Sequence, residues 1–127
     1  MLKQYLGKKN GKTGWYRVQK VTVRNIGGEV VKEDERYTVT DNRFGDSLVL
    51  SSTFLTAKKS TTGHKHKGQE EVYFFIKGKG EMQIDDQKFK VTEGDIVCVN
   101  DGEFHRVYNT TDVGLLFICV FEGDRSH

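Results

Sequence analysis

Apolar residues in this chain come in short runs closed by glycine, asparagine or aspartate, and no apolar period of 3.6 persists over three turns. The pattern therefore predicts strands and no amphipathic helix. Residues 48–55 read as one long strand, and residues 72–76, 96–99, 104–108 and 115–121 as four more. Met82 and Ile84 are set to face Phe89 and Val91 across Asp85-Asp86-Gln87, a hairpin pattern. Gly78-Lys79-Gly80, Thr92-Glu93-Gly94-Asp95 and Asn100-Asp101-Gly102 supply turns between the runs. Upstream the pattern is looser. Residues 15–23 read as a first strand or two, broken by Gly27-Gly28, with short extended pieces at Val30-Val31 and residues 37–40. Residues 33–36 read as an exposed turn and residues 41–45 as a loop. Residues 1–14, with Lys3, Lys8, Lys9 and Lys12, read as a solvated, flexible arm. About ten short strands separated by turn signals predict an antiparallel sandwich or barrel.

One strand breaks the alternation. Val72-Tyr73-Phe74-Phe75-Ile76 is apolar on both faces, so its second face must be covered by another strand or by another subunit. A homodimer is the expectation that follows. The length, 127 residues, suits one domain with a modest core. A net charge of +2 gives no case for nucleic acid as a partner. There is no apolar run long enough to span a membrane and no signal-peptide pattern, so the expected location is cytoplasmic, with no membrane partner. Cys98 and Cys119 sit inside apolar runs, where free cysteine is expected to lie buried. Fourteen glycines and no proline leave the turns to Gly, Asn and Asp.

Three of the four histidines fall in two places: His64 and His66 in Gly63-His64-Lys65-His66, and His105 in Gly102-Glu103-Phe104-His105. Residues two apart on a strand point the same way, so His64 and His66 can present both imidazoles to one point. Glu71 opens the next apolar strand and can add a carboxylate oxygen, and His105 a third imidazole. Glu70 and Glu71 face opposite sides of a regular strand, so only one can join them. Three imidazoles and one carboxylate suit a divalent transition metal such as zinc, iron, manganese, nickel or copper.

These residues resemble the two motifs of the cupins, a family of small metal-binding β-barrels. His64, His66, Glu71 and Gly78 match the first motif, and Gly94, Gly102, His105 and Asn109 the second. Lys58 stands where the first motif usually opens with glycine, and Asn100 where the second has proline. The resemblance covers roughly residues 48–121. It implies an all-β, single-domain double-stranded β-helix, the jelly-roll barrel, with residues 48–127 as barrel core and 1–47 as N-terminal arm and outer strands. The implied metal ligands are His64, His66, Glu71 and His105.

Within the cupins, Thr61-Thr62-Gly63-His64-Lys65-His66 and Glu71-Val72-Tyr73 are most similar to the archaeal-type glucose-6-phosphate isomerases. That resemblance implies a small-molecule substrate, a sugar phosphate, interconverted between aldose and ketose. Glu71 would be the catalytic base, with Thr53, Thr61, Gly63 and Tyr73 holding substrate. A phosphate needs donors nearby, for which the sequence offers the Thr61 hydroxyl, backbone N–H groups around Gly63, and Lys58 or Lys59. Phe121 stands where that family has a tyrosine, and His127 near a further family histidine. Two other readings share the metal site. One is a non-haem dioxygenase with an apolar cavity lined by Phe75, Phe104 and Phe117. The other is a non-catalytic module that binds a small ligand through the metal.

Overall fold

The structure, a computed structural model, describes residues 2–9, 12–43 and 45–123, with side chains from residue 19 onward. The described residues form twelve strands and no helix. They are β1 (Leu2–Lys9), β2 (Lys12–Gln19), β3 (Glu29–Glu33), β4 (Tyr37–Asn42), β5 (Leu48–Leu55) and β6 (His64–Lys65). Then follow β7 (Glu71–Lys77), β8 (Lys79–Ile84), β9 (Gln87–Thr92), β10 (Ile96–Val99), β11 (Phe104–Tyr108) and β12 (Leu115–Glu122). Every pairing is antiparallel. One sheet has the order β10-β7-β12-β5-β4-β3 and a second the order β6-β11-β8-β9. Neighbours far apart in sequence, such as β12 between β5 and β7, make this the jelly-roll arrangement expected of the motifs.

A single buried cluster joins the two sheets. Val49 and Leu55 from β5, Phe75 from β7 and Leu115 and Phe117 from β12 meet Met82 from β8, Val91 from β9 and Val107 from β11. Period-two alternation accounts for this on most strands, since β7 turns Glu71, Tyr73 and Phe75 inward and leaves Val72, Phe74 and Ile76 half-buried on its other face. That other face is covered in part by the chain itself. Val21, Val23 and Ile26 line one apolar groove there together with Leu50, Phe74, Ile76, Ile118 and Val120. Ile26 and Ile118 are buried, and Ile118 lies outside the main core cluster.

Gly78 closes the turn from β7 to β8 with φ of 91°, the left-handed region that glycine reaches without strain. A Cβ there would also stand 2.8 Å from the Gly114 carbonyl oxygen, so the motif glycine has two reasons to be glycine. Asn109, of the second motif, is buried after β11 and ties three strands' ends together. Its Nδ2 donates to the carbonyls of Val113 (2.7 Å), Leu55 (3.1 Å) and Thr56 (3.3 Å), and its Oδ1 accepts from the Thr111 N–H at 3.0 Å and Oγ1 at 2.8 Å. Alanine at 109 leaves several buried backbone groups without a partner, at about 1–3 kcal/mol each where water cannot replace it. Asn109→Ala is expected to cost about 3 kcal/mol of stability. The check is a lower urea midpoint at unchanged slope.

Several expectations need correction. Residues 2–9 and 12–14, expected to lack regular structure, belong to β1 and β2, paired from Leu2↔Gln19 to Lys9↔Lys12 in a sheet of their own. The sequence between them is Asn10-Gly11, the strongest short hairpin signal, which a reading by charge passes over. Consequently the first strand pair begins well before Trp15 and ends at Gln19 rather than Val23. β4 runs on through Asn42, shortening the loop expected at 41–45. In the β8–β9 hairpin Met82 opposes Phe89, but Ile84 opposes Gln87 and Val91 opposes Gly80, because only Asp85 and Asp86 form the turn. Cys119 is buried as expected, whereas Cys98 is exposed. It shares the outward face of β10, the last strand of its sheet, with the exposed Ile96.

Candidate metal centre and its cavity

β6 and β11 run side by side with His64 opposite His105, and β7 enters with Glu71 as its first residue. His66 follows β6 directly. His66, Glu71 and His105 are all buried, and one ligand atom of each lies within 4.8 Å of the others. Glu70, its neighbour's counterpart on the opposite face, is exposed. Residues of β5, β7 and β12 extend this cluster into a cavity of about 320 Å³.

His105 Nε2 is 3.1 Å from Glu71 Oε2. His105 Nδ1 is 3.3 Å from the Glu103 carbonyl oxygen, which can only accept, so Nδ1 carries a proton. In a neutral imidazole Nε2 is then a lone-pair donor facing a carboxylate. Two such atoms at 3.1 Å need a cation between them, either a proton or a metal. Adjacent ligands with bonds of about 2.1 Å at right angles sit about 3.0 Å apart, so the spacing suits a metal. The donor set fits: His66, Glu71 and His105 could hold one divalent ion.

His64 stands slightly apart. Its ring is stacked on His66 with centroids 5.8 Å apart and lies 6.3 Å from the ring of His105. Half-burial first, then the repulsion a second charge would meet from His105, His66 and Lys32, hold its imidazole down to about 4, against a smaller upward pull from Glu71. It is therefore neutral at physiological pH, the form in which a metal takes it as ligand. The structure thus brings three of the four expected ligands into one cluster and sets His64 at its rim.

The expected substrate contacts divide. Thr53, Thr61 and Tyr73 line the cavity. Tyr73 directs its hydroxyl at Glu71 Oε2 across 3.4 Å and stacks on Phe117 with centroids 5.5 Å apart. The Thr61 hydroxyl accepts the Val107 N–H at 3.0 Å, so it also ties the loop to β11. Gly63 does not line the cavity, because the Phe104 ring occupies the space a Cβ would need. Lys58 is exposed, donating to the Thr110 carbonyl at 3.0 Å and 3.6 Å from Asp112, and neither it nor Lys59 lines the cavity. Of the three aromatics expected around an apolar cavity only Phe117 lines it, while Phe75 belongs to the core and Phe104 packs on Gly63. Phe121 does line it, and His127 lies outside the described residues.

Sequence reasoning missed Ser51, Cys119, Thr62, Lys32 and Tyr37, all of which line the cavity. Ser51 and Cys119 had a signal, since each is two residues from a lining residue on its strand, Thr53 or Phe117 and Phe121. Lys32 and Tyr37 had none, because β3 and β4 precede the motifs and reach the site only through sheet order. Thr62 N–H and Oγ1 both lie 3.4 Å from the Tyr37 hydroxyl. Burial acts to raise the pKa of that hydroxyl, but hydrogen bonds with Lys32 and Thr62 outweigh it and bring it down.

Residues 53–121 match the Cupin domain family, and the chain belongs to it. It is 31% identical over 78 residues to an uncharacterized protein of Methanocaldococcus jannaschii, covering 61% of this chain and 62% of the relative. It is 32% identical over 57 residues to the oxalate-binding protein of Thermotoga maritima, covering 45% of this chain and 47% of the relative. To the glucose-6-phosphate isomerase of Pyrococcus abyssi it is 30% identical over 115 residues, covering 77% of this chain and 61% of the relative. The chain thus spans about half to three-fifths of the length of these relatives. Bacillus subtilis oxalate decarboxylase, whose Mn(II) centres have been characterised, superposes with a TM-score of 0.70 at 22% identity over 78% of this chain and 29% of that one. That likeness shows the shared barrel. No helix among the described residues is long and apolar enough to cross a membrane.

Proposed function

We propose that this cupin is a metal-dependent isomerase that interconverts the aldose and ketose forms of a small sugar phosphate. The observation that carries the reading is Glu71, a buried carboxylate that faces the cavity beside His105 and Tyr73. Its support from relatives is the match to glucose-6-phosphate isomerases, which extends over 77% of the chain.

A divalent ion held by His66, Glu71 and His105, with His64 beside them, would supply Lewis acidity at the sugar's carbonyl and neighbouring hydroxyl oxygens. Glu71 takes the proton from the carbon next to the carbonyl and returns it to the carbonyl carbon, while the hydroxyl proton moves to the other oxygen. The Tyr73 hydroxyl, 3.4 Å from Glu71 Oε2, holds the carboxylate toward the cavity. Thr53 and Ser51 present hydroxyls to a polyol, and Val39, Phe117 and Phe121 keep bulk water from the reacting carbons.

Elemental analysis of untagged protein, followed by glucose 6-phosphate and fructose 6-phosphate assays on the metal-loaded form, tests this. Near-stoichiometric metal with interconversion of the two sugars is the expected result. Bound metal with no turnover would overturn the isomerase reading. A second reading, metal-dependent binding of a small dicarboxylate without turnover, has its own observation in the match to an oxalate-binding protein. Oxalate and a hydroxy-carbonyl sugar both offer oxygens on adjacent carbons, and calorimetry with oxalate separates the two.

A further inference from the structure

Consecutive residues of a regular strand face opposite sides, yet Val31 and Lys32 both line the cavity. The strand register gives the reason. Val30 pairs with Thr40 and Lys32 with Val39, so β3 carries one residue more than β4 at this point. Such a β-bulge re-aims side chains, here on the edge strand of the six-stranded sheet. A regular β3 would send either Val31 or Lys32 outward. Continued from the Val30–Thr40 pair, a regular β3 would set Val31 opposite the cavity-lining Val39, and the extra residue sets Lys32 there instead.

Lys32 is the cationic side chain of the lining, and Glu71 the acidic one, among the described residues. Lys32 Nζ stands 4.9 Å from the centre of the Tyr37 ring. A lysine ammonium carries three donors, and this one stands beside the Tyr37 ring at the wall of the cavity. Among the described residues no carboxylate forms an ion pair with Lys32. Arg36, also close to Tyr37, is already engaged. Its Nε and Nη2 donate to Asp34 Oδ2 at 3.3 and 2.9 Å, and its Nη1 donates to Thr62 Oγ1 at 3.1 Å. Arg36 thus fixes Thr62, whereas Lys32 lines the cavity with a charge that no described carboxylate neutralises. With a divalent ion, neutral imidazoles, one carboxylate and Lys32, the lining carries about two net positive charges, which favours an anionic ligand.

We infer that Lys32 is a specificity-determining residue that holds the anionic end of the ligand, a phosphate monoester or a carboxylate, in the cavity shared with His66, Glu71 and His105. The inference rests on the proposed reading only in placing a small ligand in this cavity. It holds for either ligand class, and Lys32 lies outside the residues matched to the family.

The test is calorimetric titration of the full Mn(II)-loaded chain with fructose 6-phosphate, inorganic phosphate, oxalate and neutral fructose, for wild type, Lys32→Met and Lys32→Arg. A charge-assisted hydrogen bond corresponds to about 10- to 100-fold in affinity. Lys32→Met is expected to weaken the anions by that factor, to leave neutral fructose and metal content unchanged, and to be rescued largely by Lys32→Arg. Oxalate binding that depends on Lys32 without sugar-phosphate turnover would sink the isomerase reading and sustain this inference. Sugar-phosphate turnover with an unchanged KM in Lys32→Met would do the reverse. The inference is also overturned if wild type binds none of the anions, or if Lys32→Met loses metal along with ligand, since Lys32 would then support the site rather than read the substrate.

Discussion

Metal content of the His66→Ala variant is expected to collapse while the barrel stays folded. His66 is buried, with Nε2 shut off from solvent, and shares a cluster within 4.8 Å with Glu71 and His105. Loss of a partner outside the ligand set commonly costs about 10- to 100-fold in metal affinity, so loss of a ligand should exceed that. The fold should tolerate the change because His66 lies just beyond β6, and the joint cluster of the two sheets is built from other residues. The experiment is elemental analysis after dialysis against a weak chelator, with circular dichroism as the control. Retained stoichiometric metal in a folded variant would move the site elsewhere.

The second large effect is expected at Glu71. Glutamine keeps the volume and an oxygen that can bind metal, but it cannot accept a proton from carbon. Glu71→Gln should therefore lower kcat on fructose 6-phosphate by about 10²- to 10⁴-fold, the range general base catalysis supplies. Metal affinity should fall by much less, since His66 and His105 remain. The variant must be assayed metal-replete, with metal content measured on the same sample. Unchanged turnover under those conditions would remove Glu71 as the base. A loss of metal as large as the loss of rate would make it mainly a ligand.

The two expectations rest on different parts of the sequence signal. His64 and His66 were legible because two-residue spacing fixes a face of a strand, and Glu71, His105 and the motif glycines because their spacing resembles the cupin motifs. Tyr73 followed from Glu71 by the same rule, and the structure sets its hydroxyl 3.4 Å from Glu71 Oε2. Gly63 shows where a motif reading stops. It sits in the expected run, yet what it accommodates is the Phe104 ring from the neighbouring β11 rather than the cavity. Which neighbour fills a glycine's empty side depends on the sheet partner, and that is not written near the glycine. Lys58 and Lys59 were reasonable guesses by proximity in sequence, and the fold points them away.

By itself the sequence determined that the chain would be all-β, where most strands of the second half begin and end, and which histidines and glutamate could share a point. Alternation and turn chemistry are readable within about ten residues, whereas His105 joins His64, His66 and Glu71 through the spacing of the two cupin motifs. Tertiary structure decided the rest. It placed β12 between β5 and β7, so that Phe117, Cys119 and Phe121 became cavity wall. It brought Val21, Val23 and Ile26 to line an apolar groove with the outer faces of β7 and β12, a neighbourhood the sequence could not name. And it laid β3, bulged at Val31, along β4 so that Lys32 reached a site whose ligands lie more than thirty residues further on. Sheet order and register are set by the free energy of the whole packed core, not by any one strand, so no local pattern announces them.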